Sequence, residues 1–511
     1  MGNSRTKNAF LNIFTSSFSN IASTLISFVD RVIFLHFLNA TYLGVSGLFS
    51  NILLIFSLVE LGIGAALTQM FYKPFAEKDY EQLSKVTYTT KKLLNIVGIV
   101  VIALTLIFTP MLQLFVNDID AVPHMRLIFM LYGFSSAVTY FLGFYRTIII
   151  ANQQAYKLVK FDILWKFVVM AIQALALALT KNFIVYLIAN IILSYLINFI
   201  IMLYVKKKIP EINYKCKTWV SKEERKELFK NVAGLSMNRL ALVITEGTDN
   251  ILISKFLDLV IVGLSSNYTM IQQSVNALVE SLFGPLLSSV GNLCVTETDE
   301  TKYVHFKRLS FAAFWLYGFC SITMFVLADP FIKFVYGDDY VIPKLATLML
   351  SACAFATGLY RVPSLFRTAQ GLFWYGKFRP LLQALVNLIS SLILVSTTHK
   401  LWTVYLGTLI SLVVVTIWYE PYIVLKHGLK QNGREYYFKL LVYIVMYLVG
   451  LYVTNLLAGL LSFNGILELI VKAIICIIVP NIIFIVAFFA TKEFKYWYSF
   501  VMGLARRKLS K

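Results

Sequence analysis

The chain has 511 residues, of which 59% are hydrophobic, 15% aromatic and 14% charged. A soluble globular protein carries about 25% charged residues, and at this length it has no interior large enough to hide so much apolar surface. The composition excludes a soluble enzyme, a nucleic-acid-binding protein and a disordered tail, and the formal net charge of +20 fits basic loops held on the cytoplasmic side of a membrane.

A hydrocarbon core of roughly 30 Å needs about 20 apolar residues in a helix. Fourteen stretches answer to this: 10–37, 42–71, 86–115, 124–152, 156–180, 182–205, 230–257, 261–291, 309–328, 342–370, 379–398, 401–425, 438–460 and 465–490. Arg5 and Lys7 precede the first, which lacks a small-residue cleavage site and therefore reads as a span and not a cleaved signal. An even number of spans puts both termini on one side. With the N-terminus in the cytoplasm, 34 of the 46 Lys and Arg residues fall inside and only Lys181, Lys255, Lys333, Lys344 and Lys400 outside; the other 7 lie within spans. The chain is thus expected to be an all-α polytopic membrane protein with both termini in the cytoplasm.

An internal repeat divides it. At an offset of 219, Asp30, Phe37, Leu38 and Gly44 match Asp249, Phe256, Leu257 and Gly263; at 220, Leu58-Val59-Glu60 matches Leu278-Val279-Glu280. Gly143, Tyr145 and Arg146 match Gly358, Tyr360 and Arg361 at 215, and Gln153, Lys160, Phe161 and Leu164 match Gln370, Lys377, Phe378 and Leu381 at 217. The offset spans six helices, so the halves insert the same way round and enclose a cavity near the midplane. The expected organisation is an N-lobe at 1–205 (spans 1–6), a cytoplasmic linker at 206–230, a C-lobe at 231–425 (spans 7–12), spans 13 and 14 at 426–490, and a basic cytoplasmic tail at 491–511.

Ionised residues inside a bilayer cost about 2.5–3.5 kcal/mol each on insertion scales, so they face the bundle interior or pair. Polar stripes at three- and four-residue steps run through span 1 (Ser16, Asn20, Ser23, Ser27, Asp30/Arg31), span 2 (Ser46, Ser50, Ser57, Glu60, Gly64) and span 8 (Ser265, Thr269, Asn276, Glu280, Gly284). The cationic candidates are Arg31, Arg146, Arg239, Arg361 and Lys166, with Arg367 at a span end; the guanidinium fork suits a diphosphate. The competing reading is neutralisation by a neighbour, Arg31 by Asp30 or Glu60 and Arg239 by Glu246. The acidic set, Asp30, Glu60, Glu246, Asp249 and Glu280, is equipment for H⁺ or Na⁺ coupling and equally for internal ion pairs.

No GxxxxGK[ST], HExxH or GxSxG motif accompanies an outer catalytic domain, so no ATP site, metal centre or enzyme activity is expected. The five cysteines contain no CxxC spacing and read as small hydrophobes.

The run Asp30-Arg31…Phe37-Leu38, Tyr42-Leu43-Gly44 and Leu58-Val59-Glu60-Leu61-Gly62, with the Tyr336-Gly337-Asp338-Asp339-Tyr340 turn, resembles the polysaccharide-export and oligosaccharide-flippase branch of the multidrug/oligosaccharidyl-lipid/polysaccharide superfamily. The resemblance implies a fold like that of the multidrug exporters (MATE), with two six-helix lobes, two extra C-terminal helices and alternating access. It implies an undecaprenyl-diphosphate-linked oligosaccharide as substrate, no cofactor, and a polymerase and glycosyltransferases as pathway partners. Cavity arginines bind the diphosphate and sugar in that family, a role that falls to Arg31, Arg146, Arg239 and Arg361. Alternatives are a small-molecule exporter, a peptidoglycan-precursor flippase, or a multi-span glycosyltransferase or polymerase.

Overall fold

The computed structural model describes residues 22–509, apart from 61, 62, 153, 462 and 464. Arg5, Lys7, Ser16, Asn20, Leu61, Gly62 and Gln153 lie outside the described residues, as do the side chains of Lys160, Arg239 and Glu246. Every regular element described is helical. In chain order they are α1 (22–37), α2 (Ala40–Phe56), α3 (Ile63–Glu77), α4 (Tyr80–Phe108), α5 (Met125–Ala151), α6 (Ala155–Thr180), α7 (Phe183–Lys208), α8 (Lys222–Gly247), α9 (Asp249–Phe256), α10 (Leu259–Phe283), α11 (Leu286–Thr296), α12 (Asp299–Tyr336), α13 (Lys344–Ala369), α14 (Arg379–Thr398), α15 (Leu401–Ser411), α16 (Ile417–Ile423), α17 (Arg434–Leu460), α18 (Ile466–Phe488) and α19 (Lys492–Leu509).

Among the described residues, eleven helices are long and apolar enough to cross a membrane, or twelve if the bent pair α10–α11 is one span. Eleven of the expected spans correspond to these helices and the eighth to the bent pair, whose 41° bend falls at Gly284-Pro285, where proline supplies no backbone N–H to the helical ladder. The other two do not enter this count. The first begins in residues outside the description. The seventh is divided between α8, whose first turns are highly charged, and the short α9, with the break at Gly247-Thr248.

Short polar residues set the helix starts. Asn39 Oδ1 accepts from Thr41 N (3.1 Å) and Tyr42 N (3.3 Å), opening α2. Asp79 caps α4 through Gln82 N at 2.8 Å. Ser221 and Glu224 form a reciprocal capping box on α8. In the 401–428 span two π-helical turns, Leu412–Thr416 and Val424–Gly428, flank α16; such local widening is how a helix absorbs an extra residue, often at a functional position.

The chain forms two compact units, Met1–Ser266 and Asn267–Lys511, dividing inside α10. The sequence repeat assigns α8, α9 and the start of α10 to the second lobe; by packing they lie with the first unit. Small residues explain this. A Cβ on Gly44 would overlap the Leu259 carbonyl, and one on Gly263 would overlap the Ala40 carbonyl, so α2 and α10 meet backbone to backbone at a repeat-related pair of glycines. Phe34, Leu48, Phe49, Phe129, Phe183 and Leu259 share one core there. In the second unit aromatic stacking joins α12, α13, α17 and α18: Phe314 lies on Tyr443 (4.4 Å between centroids, 12°) and Phe355 on Tyr447 (3.8 Å, 7°). The tail expected at 491–511 is helical as α19 up to Leu509. Trp497 Nε1 donates to Arg308 O at 2.9 Å and Glu493 pairs with Lys439 at 2.7 Å. Burial alone would raise the Glu493 carboxyl, but the hydrogen bond and charge of Lys439 hold it below the ordinary carboxylate range.

The α2–α10 crossing makes a sharp prediction. Gly263→Val must separate two backbones and should destabilise the protein by about 1–3 kcal/mol, as overpacking does. Gly291→Val, with nothing within 4 Å of the added Cβ, should leave the thermal midpoint of the detergent-purified protein nearly unchanged. Equal midpoints for the two variants would mean that the crossing is not close.

Candidate functional site

The site is a set of ionised groups, described unit by unit. In the first unit Arg146 projects from α5 and its whole fork is engaged. Nη1 and Nη2 donate to the two Asp162 oxygens at 3.0 and 2.9 Å, and Nε donates to Asn198 Oδ1 at 3.0 Å. One guanidinium therefore ties α5 to α6 and α7. Arg31, on α1, donates through Nη1 to Ser266 Oγ at 3.1 Å. Lys166 on α6 donates to Ser23 Oγ on α1. Glu60, at the end of the short 3₁₀ turn after α2, accepts from Tyr140 OH at 3.3 Å. Asp30 lies beside Arg31 on α1, and Asp249 opens α9. Arg239 and Glu246 are both placed on α8, without description of their side chains.

In the second unit Glu280 of α10 pairs directly with Arg361 of α13. The repeat-related residues are thus used differently: Glu60 takes a tyrosine and Arg146 an aspartate, whereas their counterparts Glu280 and Arg361 take each other. The sequence supplies the reason. At the offset of 217 that aligns Phe161 with Phe378, the residue facing Asp162 in the alignment is Arg379. Arg361 has no aspartate at that position to hold it. Arg379 itself needs an anion, and it shares one with Arg367. Both form ion pairs with Glu420, Arg367 Nε lying 2.7 Å from Oε1 and Arg379 Nε 2.8 Å from Oε2, with the carboxylate fully buried between the two π-helical turns. Arg379 Nη1 also reaches Gln383 Oε1 (3.0 Å) and Thr416 Oγ1 (3.1 Å).

Sequence reasoning missed Asp162, Glu420 and the pairing role of Arg379. The signal existed: Asp162 and Glu420 are lone carboxylates in otherwise apolar spans. A further polar knot joins Asp329 to Tyr268 OH, Thr347 Oγ1 and Lys344 Nζ, each at 3.0 Å. Among the described residues no group of three His, Cys, Asp or Glu side chains is placed to hold a metal ion. What the arrangement offers is guanidinium forks held ready by carboxylates that an incoming oxyanion could replace.

Apolar spans of bilayer length carrying ionised groups that pair within the protein define a multi-span membrane protein. The chain belongs to the family of polysaccharide biosynthesis proteins, whose family model matches residues 33–343. Its fold is similar to an inward-facing multidrug resistance MATE family transporter of the MOP superfamily (TM-score 0.65, 14% identity, covering 80% of this chain and 95% of that one). It is similar also to the lipid II flippase MurJ in an inward closed conformation (0.66, 16%, 93% and 98%) and to the Vibrio cholerae MATE transporter VcmN (0.57, 13%, 84% and 99%). No curated protein matches the chain in sequence.

The Arg367–Glu420–Arg379 cluster predicts a large structural effect. Removing the charge of one member leaves the others buried and uncompensated, at roughly 3–5 kcal/mol for a buried pair. Glu420→Gln should therefore lower the thermal midpoint far more than Glu60→Gln, whose oxygen keeps its Tyr140 partner. A small loss for Glu420→Gln and a large one for Glu60→Gln would reverse this assignment.

Proposed function

We propose that the protein is a flippase that moves an undecaprenyl-diphosphate-linked oligosaccharide repeat unit from the cytoplasmic to the outer leaflet of the bacterial cytoplasmic membrane, for surface polysaccharide assembly. The observation that carries this reading is the coincidence of a polysaccharide biosynthesis family match with a MATE- and MurJ-like fold. The distribution of Lys and Arg supports both termini in the cytoplasm. In that orientation the Gly44–Gly263 crossing lies toward the outside, since Ala40 and Leu259 follow outer turns, and it closes the outer end of α2 against α10.

No ATP is consumed and no covalent bond changes. The diphosphate arrives at the inner leaflet and competes with Asp162 for the Arg146 fork and with Glu280 for Arg361. Glu280, released in this way, becomes a site for H⁺ or Na⁺; Asp30, Glu60, Glu246 and Asp249 are the other carboxylates that would couple an ion gradient to the cycle. Preferential binding of the diphosphate to one state shifts the population of the two. The polymerase and glycosyltransferases of the same pathway are the expected partners.

The test is reconstitution of the purified protein in vesicles holding a fluorescent undecaprenyl-diphosphate-linked oligosaccharide, with outer-leaflet exposure read by an impermeant quencher. Exposure should accelerate without ATP. Arg146→Lys and Arg361→Lys, which keep the charge but lose the fork, should each slow it about tenfold, equivalent to roughly 1.4 kcal/mol. Vesicles that export a cationic drug while the lipid-linked sugar stays put would establish a small-molecule exporter instead.

A further inference from the structure

The 209–221 segment between α7 and α8 has the composition of a plain linker, yet it is built into a wall. Its backbone is tied to α4: Asn213 N donates to Ser84 Oγ at 2.9 Å and Val220 N to Thr89 Oγ1 at 3.2 Å. Tyr214 OH reaches back to Ile209 O at 3.0 Å, closing the turn on itself. Between this wall and α4 lies a cleft of about 740 Å³.

Four lysines line the cleft, Lys91 and Lys92 from α4 and Lys215 and Lys217 from the wall, and no carboxylate does. None of the four makes an ion pair among the described residues, although exposed lysines elsewhere in the chain, such as Lys85 with Glu81, do find one. Asn95 also lines it, and its buried Oδ1 finds no hydrogen-bond partner among the described residues. A basic stretch on the cytoplasmic side needs no ligand to explain it. Lys92 Nζ lies over the Tyr88 ring of the same cleft at 5.8 Å, but a concave, hydrogen-bonded pocket lined by four lysines, no carboxylate and an unsatisfied amide oxygen is a more particular arrangement, since like charges brought together repel unless an anion lies between them.

We propose that this cleft is a binding site for a diphosphate that carries hydroxyl groups, the chemistry of a sugar diphosphate, with the lysines on the phosphate oxygens and Asn95 Oδ1 accepting from a hydroxyl. The ammonium is a point charge that suits phosphate without fixing its orientation. The site lies wholly in the first unit and is distinct from Arg361 and Glu280. It stands on its own geometry and does not require that the protein be a flippase. A lipid-linked sugar and a free nucleoside diphosphate sugar share the chemistry.

Cys216, half-buried in the wall of the same cleft, is a built-in reporter. The experiment follows its alkylation in the purified full chain, peptide by peptide, with buried Cys353 as the check that the fold is intact. Millimolar pyrophosphate should slow Cys216 alkylation several-fold beyond sodium chloride of matched ionic strength. That excess protection should disappear in Lys91→Gln/Lys215→Gln while Cys353 stays protected. Protection no greater than that of chloride, or equal protection in the double variant, would overturn the proposal. With protection established, undecaprenyl diphosphate in nanodiscs and a soluble nucleoside diphosphate sugar compete as the two sources, and the more protective identifies the ligand.

Discussion

An ionised side chain in a hydrocarbon core must find a partner, and the structure is arranged around that requirement. Transfer of one such group to the centre of a span costs about 2.5–3.5 kcal/mol even on the lenient insertion scales. Each unit meets the cost with its own pairs. Asp162 holds Arg146 by both oxygens, Glu280 holds Arg361, and Glu420 is shared by Arg367 and Arg379. These pairs do more than cancel charge, since each joins helices whose apolar faces alone would not fix a register. An Arg146 fork that touches α5, α6 and α7 at once leaves those helices little freedom to rotate.

The same pairs explain how related halves of one chain come to differ. The repeat preserves Glu60/Glu280 and Arg146/Arg361, but one position carries Asp162 in the first half and Arg379 in the second. Reversing the sign at one site changes the partner of every charge near it. Arg361 turns to Glu280, Tyr140 occupies Glu60, and an extra carboxylate, Glu420, appears in the 401–428 span to receive Arg379. That span is also the one with two π-helical turns, one on each side of Glu420.

The spans were legible in the sequence because bilayer thickness imposes a length and a composition that few other structures share. The bend at Gly284-Pro285 interrupts the 261–291 stretch that hydropathy alone reads as one span. The break at Gly247-Thr248 and the packing of α8–α9 with the first unit are not evident in the sequence, since that packing depends on which residues come to lie against α2. The ionised residues were legible as candidates, but their partners were not. The pairing of Arg239 with Glu246 concerns side chains outside the description, and Arg31 donates to Ser266, 235 residues away. Asp162, 16 residues beyond Arg146, comes within reach only because the chain reverses between α5 and α6. Glu420 lies 53 residues beyond Arg367, and no periodicity brings it there. The linker shows the same limit, for its charge was evident while its hydrogen bonds to Ser84 and Thr89 were not.

In the proposed flippase cycle, carboxylates hold the arginine forks in place of a diphosphate. This is tested most directly by the equilibrium affinity of undecaprenyl diphosphate for the purified, monodisperse protein in nanodiscs, compared among wild type, Asp162→Asn and Arg146→Lys. If Asp162 competes with the diphosphate, Asp162→Asn should bind several-fold more tightly and Arg146→Lys more weakly. Unchanged affinity in both variants, or weaker binding in Asp162→Asn, would show that the Arg146–Asp162 pair is only a structural tie between helices.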